Sequence, residues 1–274
     1  MTPSSDFLTA RMGAAGRPVF RLGLSASYRP GERAVRSALD QGVNYLFCYG
    51  IDTQMTRVIR EMSADRRERV LIATGGYNWL VWHTSLKKAL ENSLRRLKTD
   101  YIDVFHYLGV MNPQQFPPRV REELAELRSD PRVRAVAISC HDRKLAGKLA
   151  ADGTVDALMI RYNAAHTGAE EDVFPHVSAH NIGVISYTAT RWTWLLRRVR
   201  GWPKNEAVAT AGQCYRFVLS NPDVHVALTA PRNEKELQEN LREVRRGALD
   251  ADEMAYMRRF GAYVHDHAGW FMGA

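Results

Sequence analysis

A short apolar strand leads into a helix in the stretch Val226-Ala-Leu-Thr-Ala-Pro-Arg-Asn-Glu-Lys-Glu-Leu-Gln-Glu-Asn-Leu241. Asn233 and Glu236 have the spacing of a capping box, and the leucines that follow recur on one helix face. Unpaired backbone N–H groups and the positive end of the helix dipole meet at this junction beside Arg232, so it can hold a phosphate. An ordinary strand-to-helix turn with a surface arginine explains the same stretch equally well. The rest of the chain must decide between the two.

The composition of the chain is that of a globular protein. Of its 274 residues, 45% are hydrophobic and 25% are charged, and no apolar run is long enough to cross a bilayer. Residues 1–16 are small and polar and lack the apolar centre of a signal peptide, which predicts a flexible N-terminal tail. No linker rich in Pro, Gly or Ser interrupts residues 17–274, so we expect a single domain there.

The cysteines and the net charge indicate which cellular compartment and which class of partner to expect. Cys48, Cys140 and Cys214 are widely spaced and lack disulfide or zinc-ligand spacing, which fits a reducing, cytoplasmic location. The net charge of +8 favours anionic partners. The basic residues are scattered along helices and no helix-turn-helix or RNP-like motif occurs, so neither nucleic acid nor membrane is an expected partner. An anionic small-molecule cofactor accounts for the same charge excess.

Short β-rich runs alternate with helical patterns from Pro18 onward. The pattern predicts strands at residues 19–25, 44–48, 70–74, 102–108, 133–139, 157–162, 183–187 and 224–228. It predicts helices at residues 30–39, 55–62, 84–97, 119–127, 144–151, 170–177, 211–219 and 234–244. Eight right-handed strand–helix units form either a closed barrel or an open doubly wound sheet. Because no Gly-x-Gly-x-x-Gly turn follows the first strand, we predict a (β/α)8 TIM barrel of the α/β class, with a C-terminal helix over residues 251–264 packed outside it.

A series of motifs in this order resembles the aldo-keto reductase family. The motifs are Gly42-Val-Asn44, Tyr101-Ile-Asp103, Arg134-Ala-Val-Ala-Ile-Ser139, Arg161-Tyr-Asn163, Gly183-Val-Ile-Ser-Tyr187, the run from Ala211 to Ser220, and the opening stretch. The resemblance implies an NADP(H) cofactor that lies extended across the mouth of the barrel. The strand count reached from periodicity agrees with the barrel of that family.

The resemblance assigns the cofactor contacts residue by residue. It implies that Arg232 and Asn233 lie near the 2′-phosphate, Glu239 and Asn240 near the adenine, the backbone of Thr229 and Ala230 near the pyrophosphate, Ser139 at the carboxamide, and Tyr187 against the nicotinamide ring. An arginine suits the bidentate geometry of a phosphate, and a tyrosine face suits a flat ring.

The catalytic positions of the family are different in this chain. The family uses an aspartate, a tyrosine, a lysine and a histidine, and the matching positions here hold Phe47, Tyr49, Gly75 and Leu108. The family's asparagine after the strand-five serine is Cys140 here, and its strand-six glutamine is Met159. A tyrosine is a general acid near neutral pH only when its neighbours lower its pKa, and the lysine–aspartate pair does so in the family. Tyr49 is therefore expected to be a weak acid.

Three histidines are alternative proton carriers. His106 points to the same side of its strand as Leu108, one layer deeper, and is either a buried core histidine or a displaced acid. His141 follows the fifth strand beside Asp142, which is either its acid–base partner or the N-cap of the next helix. His166 is expected to be exposed and to face the mouth. No spacing typical of a metal site is present, so no metal is expected. Aromatic residues expected to line a pocket or cover the rim are Trp79, Trp82, Trp192, Trp194 and Trp202.

These observations predict an NADP(H)-binding oxidoreductase of altered mechanism that acts on a small carbonyl or unsaturated substrate. Its expected proton carriers are Tyr49, His106, His141 and His166. A non-redox lyase or isomerase on the same barrel, or a cofactor-binding protein without turnover, is the alternative. The sequence identifies neither the substrate nor the oligomeric state.

Overall fold

Eight parallel strands close into a barrel in the computed structural model, which describes residues 5–13, 16–48, 52–77 and 85–268. The barrel strands are β3 (Leu22–Ser25), β4 (Tyr45–Phe47), β5 (Leu71–Tyr77), β6 (Val104–Val110), β7 (Val136–Cys140), β8 (Ala157–Arg161), β9 (Gly183–Tyr187) and β10 (Val226–Thr229). Each strand pairs with the next along the chain, and β10 closes the ring by pairing Ala227 with Leu22 of β3. The predicted (β/α)8 barrel and its strand count are confirmed.

Helices connect and surround these strands. They are α1 (Ser5–Leu8), α2 (Glu32–Asp40), α3 (Gln54–Arg60), α4 (Ala64–Arg69), α5 (Leu86–Leu97), α6 (Pro118–Arg128), α7 (Arg143–Ala151), α8 (Ala169–Asp172), α9 (Ala211–Leu219), α10 (Glu234–Val244) and α11 (Ala251–His267), with short 3-10 turns at Pro113–Gln115, Phe174–His176 and Trp194–Leu196. The opening stretch forms β10 and α10 as predicted, and Leu237, Leu241 and Val244 bury the inner face of α10. Among the described residues, no helix is both long and apolar enough to cross a membrane.

A β-hairpin occupies part of the segment predicted to be a flexible tail. Strand β1 (Thr9–Met12) pairs antiparallel with β2 (Arg17–Phe20), so the prediction was wrong for residues 5–13. Residues 19 and 20, predicted as the start of the first barrel strand, belong to β2 instead. Met12 and Val19 are each 1% exposed and pack against the interior of the barrel. Burial of these two apolar side chains, which the tail prediction did not consider, holds the hairpin against the barrel.

A buried carboxylate organises the N-terminal ends of the central strands. Asp103, which precedes β6 and is 1% exposed, accepts hydrogen bonds from Arg67 at 2.7 Å, Arg17 at 2.9 Å and Arg134 at 3.3 Å. The guanidinium groups of Arg67 and Arg134 each lie 3.9 Å from the centre of the Tyr101 ring. The cluster links the hairpin to α4 and to the segments that precede β6 and β7.

His106 is sealed inside the barrel. Its Nδ1 lies 3.1 Å from the carbonyl oxygen of Thr74, and because a carbonyl can only accept, Nδ1 must carry the proton. Nε2 is buried and has no hydrogen-bond partner within the described part of the chain. The ring meets Phe47 edge-on, with 5.4 Å between ring centres. Burial lowers the pKa of His106 to about 4, so the ring is neutral near pH 7.

We expect Asp103→Asn to lower the free energy of unfolding by about 3 kcal/mol, because the substitution leaves the buried guanidinium of Arg67 without a counter-charge. Urea denaturation at pH 7 measures the change. Asp100→Asn, at an exposed aspartate three residues earlier, is the control. Equal losses in the two variants would contradict the assigned role of Asp103.

A second prediction concerns the pH dependence of stability. The folded chain keeps His106 neutral down to about pH 4, whereas an unfolded chain protonates it near pH 6.5. The stability that depends on neutral His106 is therefore present above pH 6.5 and is lost as the pH falls towards 4, by on the order of 1 kcal/mol per pH unit. His106→Asn, which keeps an N–H donor for Thr74, should flatten this slope in urea denaturation between pH 6.5 and 4.5. The exposed His176→Asn should not, and an unchanged slope in His106→Asn would contradict the argument.

Candidate active site at the mouth of the barrel

A cavity of about 470 Å³ opens at the C-terminal ends of the strands, and we call it the mouth cavity. It extends from β7 and β9 across to β10 and β3, and the loops that follow these strands form its walls. Its lining includes Ser25, Ser27, Tyr28, Phe47, Tyr77, Leu108, Ser139, His141, Met159, Tyr187, Thr188, Trp192, Tyr215, Leu228 and Ala230. This is the end of the barrel where ligands bind in proteins of this fold.

Apolar side chains occupy the side of the mouth cavity where the family has its catalytic groups. Phe47 and Leu108, at the positions matched to the aspartate and the histidine, both line the cavity. A side chain at Gly75, matched to the lysine, would place its Cβ only 2.1 Å from the carbonyl oxygen of His106. No side chain fits there without a shift of the backbone. Tyr49 lies outside the described residues.

His106 and His166 do not reach the mouth cavity, in contrast to their expected role as proton carriers there. His106 is fully buried beneath Phe47 and Leu108. His166 lines a neighbouring cavity instead, and its ring meets His265 of α11 with 5.2 Å between ring centres. Burial, followed by the positive charges around it, lowers the pKa of His166 to about 3. The packing of α11 over the loop after β8 turns this histidine away.

His141 lies at the mouth and contacts Tyr187. The Tyr187 hydroxyl lies 2.9 Å from Nε2 and 3.0 Å from Nδ1 of His141, and the rings meet edge-on. Burial, and then the charge of Arg161, lower the pKa of His141 to about 4, while burial raises the pKa of Tyr187. Both groups are therefore neutral near pH 7, and the Tyr187 hydroxyl can donate a hydrogen bond to the unprotonated ring nitrogen of His141. Asp142 turns away as the N-cap of α7, accepting from the Leu145 N–H at 2.8 Å.

Arg232 lies in the loop between β10 and α10 and does not line the mouth cavity. It is 75% exposed, and its guanidinium pairs with Glu236 at 2.7 Å. Asn233 caps α10 through its side chain, which accepts from the Glu236 N–H at 3.0 Å. Glu239 is exposed on the same helix. An anion bound by Arg232 would have to share the guanidinium with Glu236.

Thr229 and Asn240 are turned into the protein. The Asn240 side chain is 7% exposed and donates to the Thr229 hydroxyl at 3.0 Å, and that hydroxyl donates to Tyr215 at 3.0 Å. The expectation that Asn240 faces an adenine does not match this orientation, because its amide ties α10 to β10. Thr229 can offer a ligand its backbone rather than its buried side chain.

The loop after β9 carries features that the sequence did not reveal. Four of its non-glycine residues have left-handed backbone angles, namely Thr188, Arg191, Trp192 and Thr193, with φ between 48° and 71°. Buried Asn163 holds this loop through a 2.9 Å hydrogen bond to the carbonyl oxygen of Thr188. Such strained backbone is concentrated at functional sites. The Thr188 hydroxyl, at the mouth cavity, is buried and has no hydrogen-bond partner among the residues that the structure describes.

The aromatic residues expected at the rim separate into different environments. Trp192 lines the mouth cavity, whereas Trp202 is 5% exposed and packs against Phe260 of α11, with 4.8 Å between ring centres. Trp194 packs against the outer core. Trp79 and Trp82 lie outside the described residues.

Comparisons with known proteins agree with the fold and the motifs. The chain is 26% identical over 169 residues to the aldo-keto reductase YhdN of Bacillus subtilis, a match that covers 56% of this chain and 50% of that protein. It is 24% identical over 203 residues to the methylglyoxal reductase YeaE of Escherichia coli, covering 71% of this chain and 69% of that one. An aldo/keto reductase from Klebsiella pneumoniae, solved in complex with NADP and acetate, superposes with a TM-score of 0.72 at 21% identity, over 93% of this chain and 95% of that one.

The family model described as "Aldo/keto reductase family" matches residues 27–208, which is more than half of the chain. These residues include β4 to β9 and most of the mouth cavity. The protein therefore belongs to the aldo/keto reductase family.

Proposed function

We propose that the protein is an NADP(H)-dependent oxidoreductase that acts on a small carbonyl or unsaturated substrate, with His141 and Tyr187 in place of the family's usual acid. The observation that carries the proposal is the hydrogen bond between these two side chains on the wall of the mouth cavity. The relatives support the reaction class, since YeaE is named a methylglyoxal reductase and the Klebsiella structure holds NADP. We place the protein in the cytoplasm, where the buried free cysteines stay reduced.

The residues around the mouth cavity fit the cofactor. Tyr187 offers a ring face, Ser139 a hydroxyl, and the turn at Ala230 its backbone, and all three line the mouth cavity. The Thr188 hydroxyl, which has no partner in the described part of the chain, suits a polar group of the same ligand. At the far end, Arg232 and the N-terminus of α10 would hold the 2′-phosphate. When bound, NADPH supplies a hydride.

The chain's own residues would handle the substrate oxygen and its proton. Tyr187 stays protonated because burial raises its pKa, so it is a hydrogen-bond donor rather than a ready acid. Because its pKa is lowered to about 4, His141 is a weaker base than an ordinary histidine when neutral and a stronger acid when protonated. The apolar wall of Phe47, Leu108 and Met159 excludes water and favours an apolar substrate body.

The same apolar wall favours the alternative of a barrel that binds its cofactor without turnover. Phe47 and Leu108 hold no proton, and Gly75 has no room for a side chain. Binding of NADPH without its consumption, across a panel of aldehydes, ketones and enones, would support this alternative. Failure to bind NADPH at all would leave the non-redox lyase or isomerase.

We expect NADPH to bind to the purified protein. In a titration, the fluorescence of its nicotinamide should then change in intensity or wavelength. Arg232→Ala should weaken the binding of NADPH by about tenfold or more and that of NADH only slightly, because NADH lacks the 2′-phosphate. Glu236→Gln keeps an acceptor for the backbone but releases Arg232 from its ion pair, so it should strengthen NADPH binding relative to NADH. Equal effects on both nucleotides would show that Arg232 does not contact the 2′-phosphate.

We expect His141→Gln to lower kcat by about 100-fold while the NADPH Kd is unchanged, because glutamine cannot carry a proton. In the unsubstituted protein, kcat/KM should rise as the pH falls from 7 to 5, since the protonated fraction of His141 grows as its pKa is approached from above. Steady-state assays across this range measure both effects, with the exposed His176→Gln as control. A flat pH profile together with an active His141→Gln variant would refute the role of His141.

A further inference from the structure

A second cavity of about 400 Å³ adjoins the mouth cavity, and we call it the basic cavity. The loops after β7 and β8 and the end of α11 surround it. Its lining contains three cations and three histidines, namely Arg143, Lys144, Arg161, His141, His166 and His265. His141 lines both cavities, which therefore meet at this side chain.

Arg161, the last residue of β8, has no counter-charge among the residues that the structure describes. Its side chain is partly buried, and it makes no hydrogen bond or ion pair with any residue that the structure describes. Burial lowers the pKa of Arg161, Tyr187 raises it in part, and the like charge of Arg143 lowers it further. A partly desolvated guanidinium without a counter-charge is unfavourable, so a ligand that compensates the charge would be favoured here.

The two carboxylates that line the basic cavity are already engaged. Asp172 pairs with Arg143 at 3.2 Å, and Asp142 caps α7 through the Leu145 N–H. The N-terminus of α7, which begins at Arg143, adds the positive end of its dipole to the same space. The field inside the cavity is therefore positive, and burial lowers the pKa of both His141 and His166 there, so neither ring adds a charge near pH 7.

The register of the strands sets the distance from Arg161 to the proposed reaction centre. Arg161 of β8 is paired with Tyr187 of β9, so their backbones are one strand spacing apart, about 4.8 Å. A small molecule whose charged end contacts Arg161 would therefore lie within reach of Tyr187 and of His141, which lines the same cavity as Arg161.

We propose that the basic cavity binds an anionic group of the substrate, a carboxylate or a phosphate, through Arg161, and so selects small anionic carbonyl compounds. This inference rests on the proposed function. Neutral substrates of the same shape lack the contact and should be used less well. Arg161 is a substrate-binding residue in this scheme, and the apolar wall of the mouth cavity receives the rest of the molecule.

The experiment compares a charged probe with a neutral isostere in the absence of cofactor. Titrations followed by ligand-observed NMR should show benzoate and inorganic phosphate binding to the protein, and benzamide binding at least about tenfold more weakly than benzoate. Arg161→Gln should remove this difference, and Arg161→Lys should restore part of it because it keeps the charge. Arg119→Gln changes the net charge equally at an exposed position on α6 and should have no effect.

Titrations of the Arg161→Gln variant with NADPH and with the two anions distinguish the possible outcomes. If Arg161→Gln weakens the binding of NADPH as strongly as the binding of benzoate, Arg161 contacts a phosphate of the cofactor and the proposal is wrong. If benzoate and phosphate bind equally well to the unsubstituted protein and to Arg161→Gln, or do not bind at all, it is also wrong. Because these titrations need neither NADPH nor turnover, a failure of the proposed oxidoreductase function would appear separately, as absence of NADPH binding or consumption.

The matched substrates benzaldehyde and 4-carboxybenzaldehyde extend the test to catalysis. We expect kcat/KM to be at least about tenfold higher for the carboxylated aldehyde, and Arg161→Gln to abolish that preference through KM. A preference that survives Arg161→Gln would contradict the proposal.

Discussion

Closure of the barrel is the constraint on which the rest of the structure depends. The pairing of β10 with β3 leaves no free edge in the ring and brings the C-terminal ends of all eight strands together. Residues as distant in sequence as Phe47 and Ala230 thereby line one cavity. At the opposite end, the hairpin and the Asp103 cluster hold the strands in place, so the two ends of the barrel have separate roles in ligand binding and stability.

The polar groups of the mouth cavity are distributed unevenly around its rim. The side formed by β4 and β6 presents Phe47 and Leu108, and His106 is sealed one layer below. The side formed by β7 and β9 presents Ser139, His141 and Tyr187. A substrate that is reduced here would meet no proton donor at Phe47 or Leu108, which is a physical reason to propose a mechanism different from that of the family's usual acid.

Burial sets the charge state of this region. His106, His141 and His166 all have a lowered pKa because each ring is desolvated, and nearby arginines add to the effect at the last two. The positive charge of the basic cavity therefore belongs to Arg143, Lys144 and Arg161, while His141 lines both cavities. This arrangement connects the proposed oxidoreductase activity with the proposed preference for anionic substrates. A bound anion would offset the positive charge in the basic cavity, which neutral His141 and His166 do not.

The sequence by itself determined the barrel, because strand and helix periodicities are local and eight repeated units have few ways to pack. Helices α9 and α10 begin and end as predicted, since Thr210 and Asn233 supply their caps. The family motifs also indicated Ser139 and Tyr187, which line the cavity. The tertiary structure alone decided the hairpin, the inward turn of Asn240, the position of His166 beside α11 and the partial burial of Arg161 in the basic cavity. Each of these depends on which distant element packs against a side chain, and the spacing of residues in the sequence does not predict that contact.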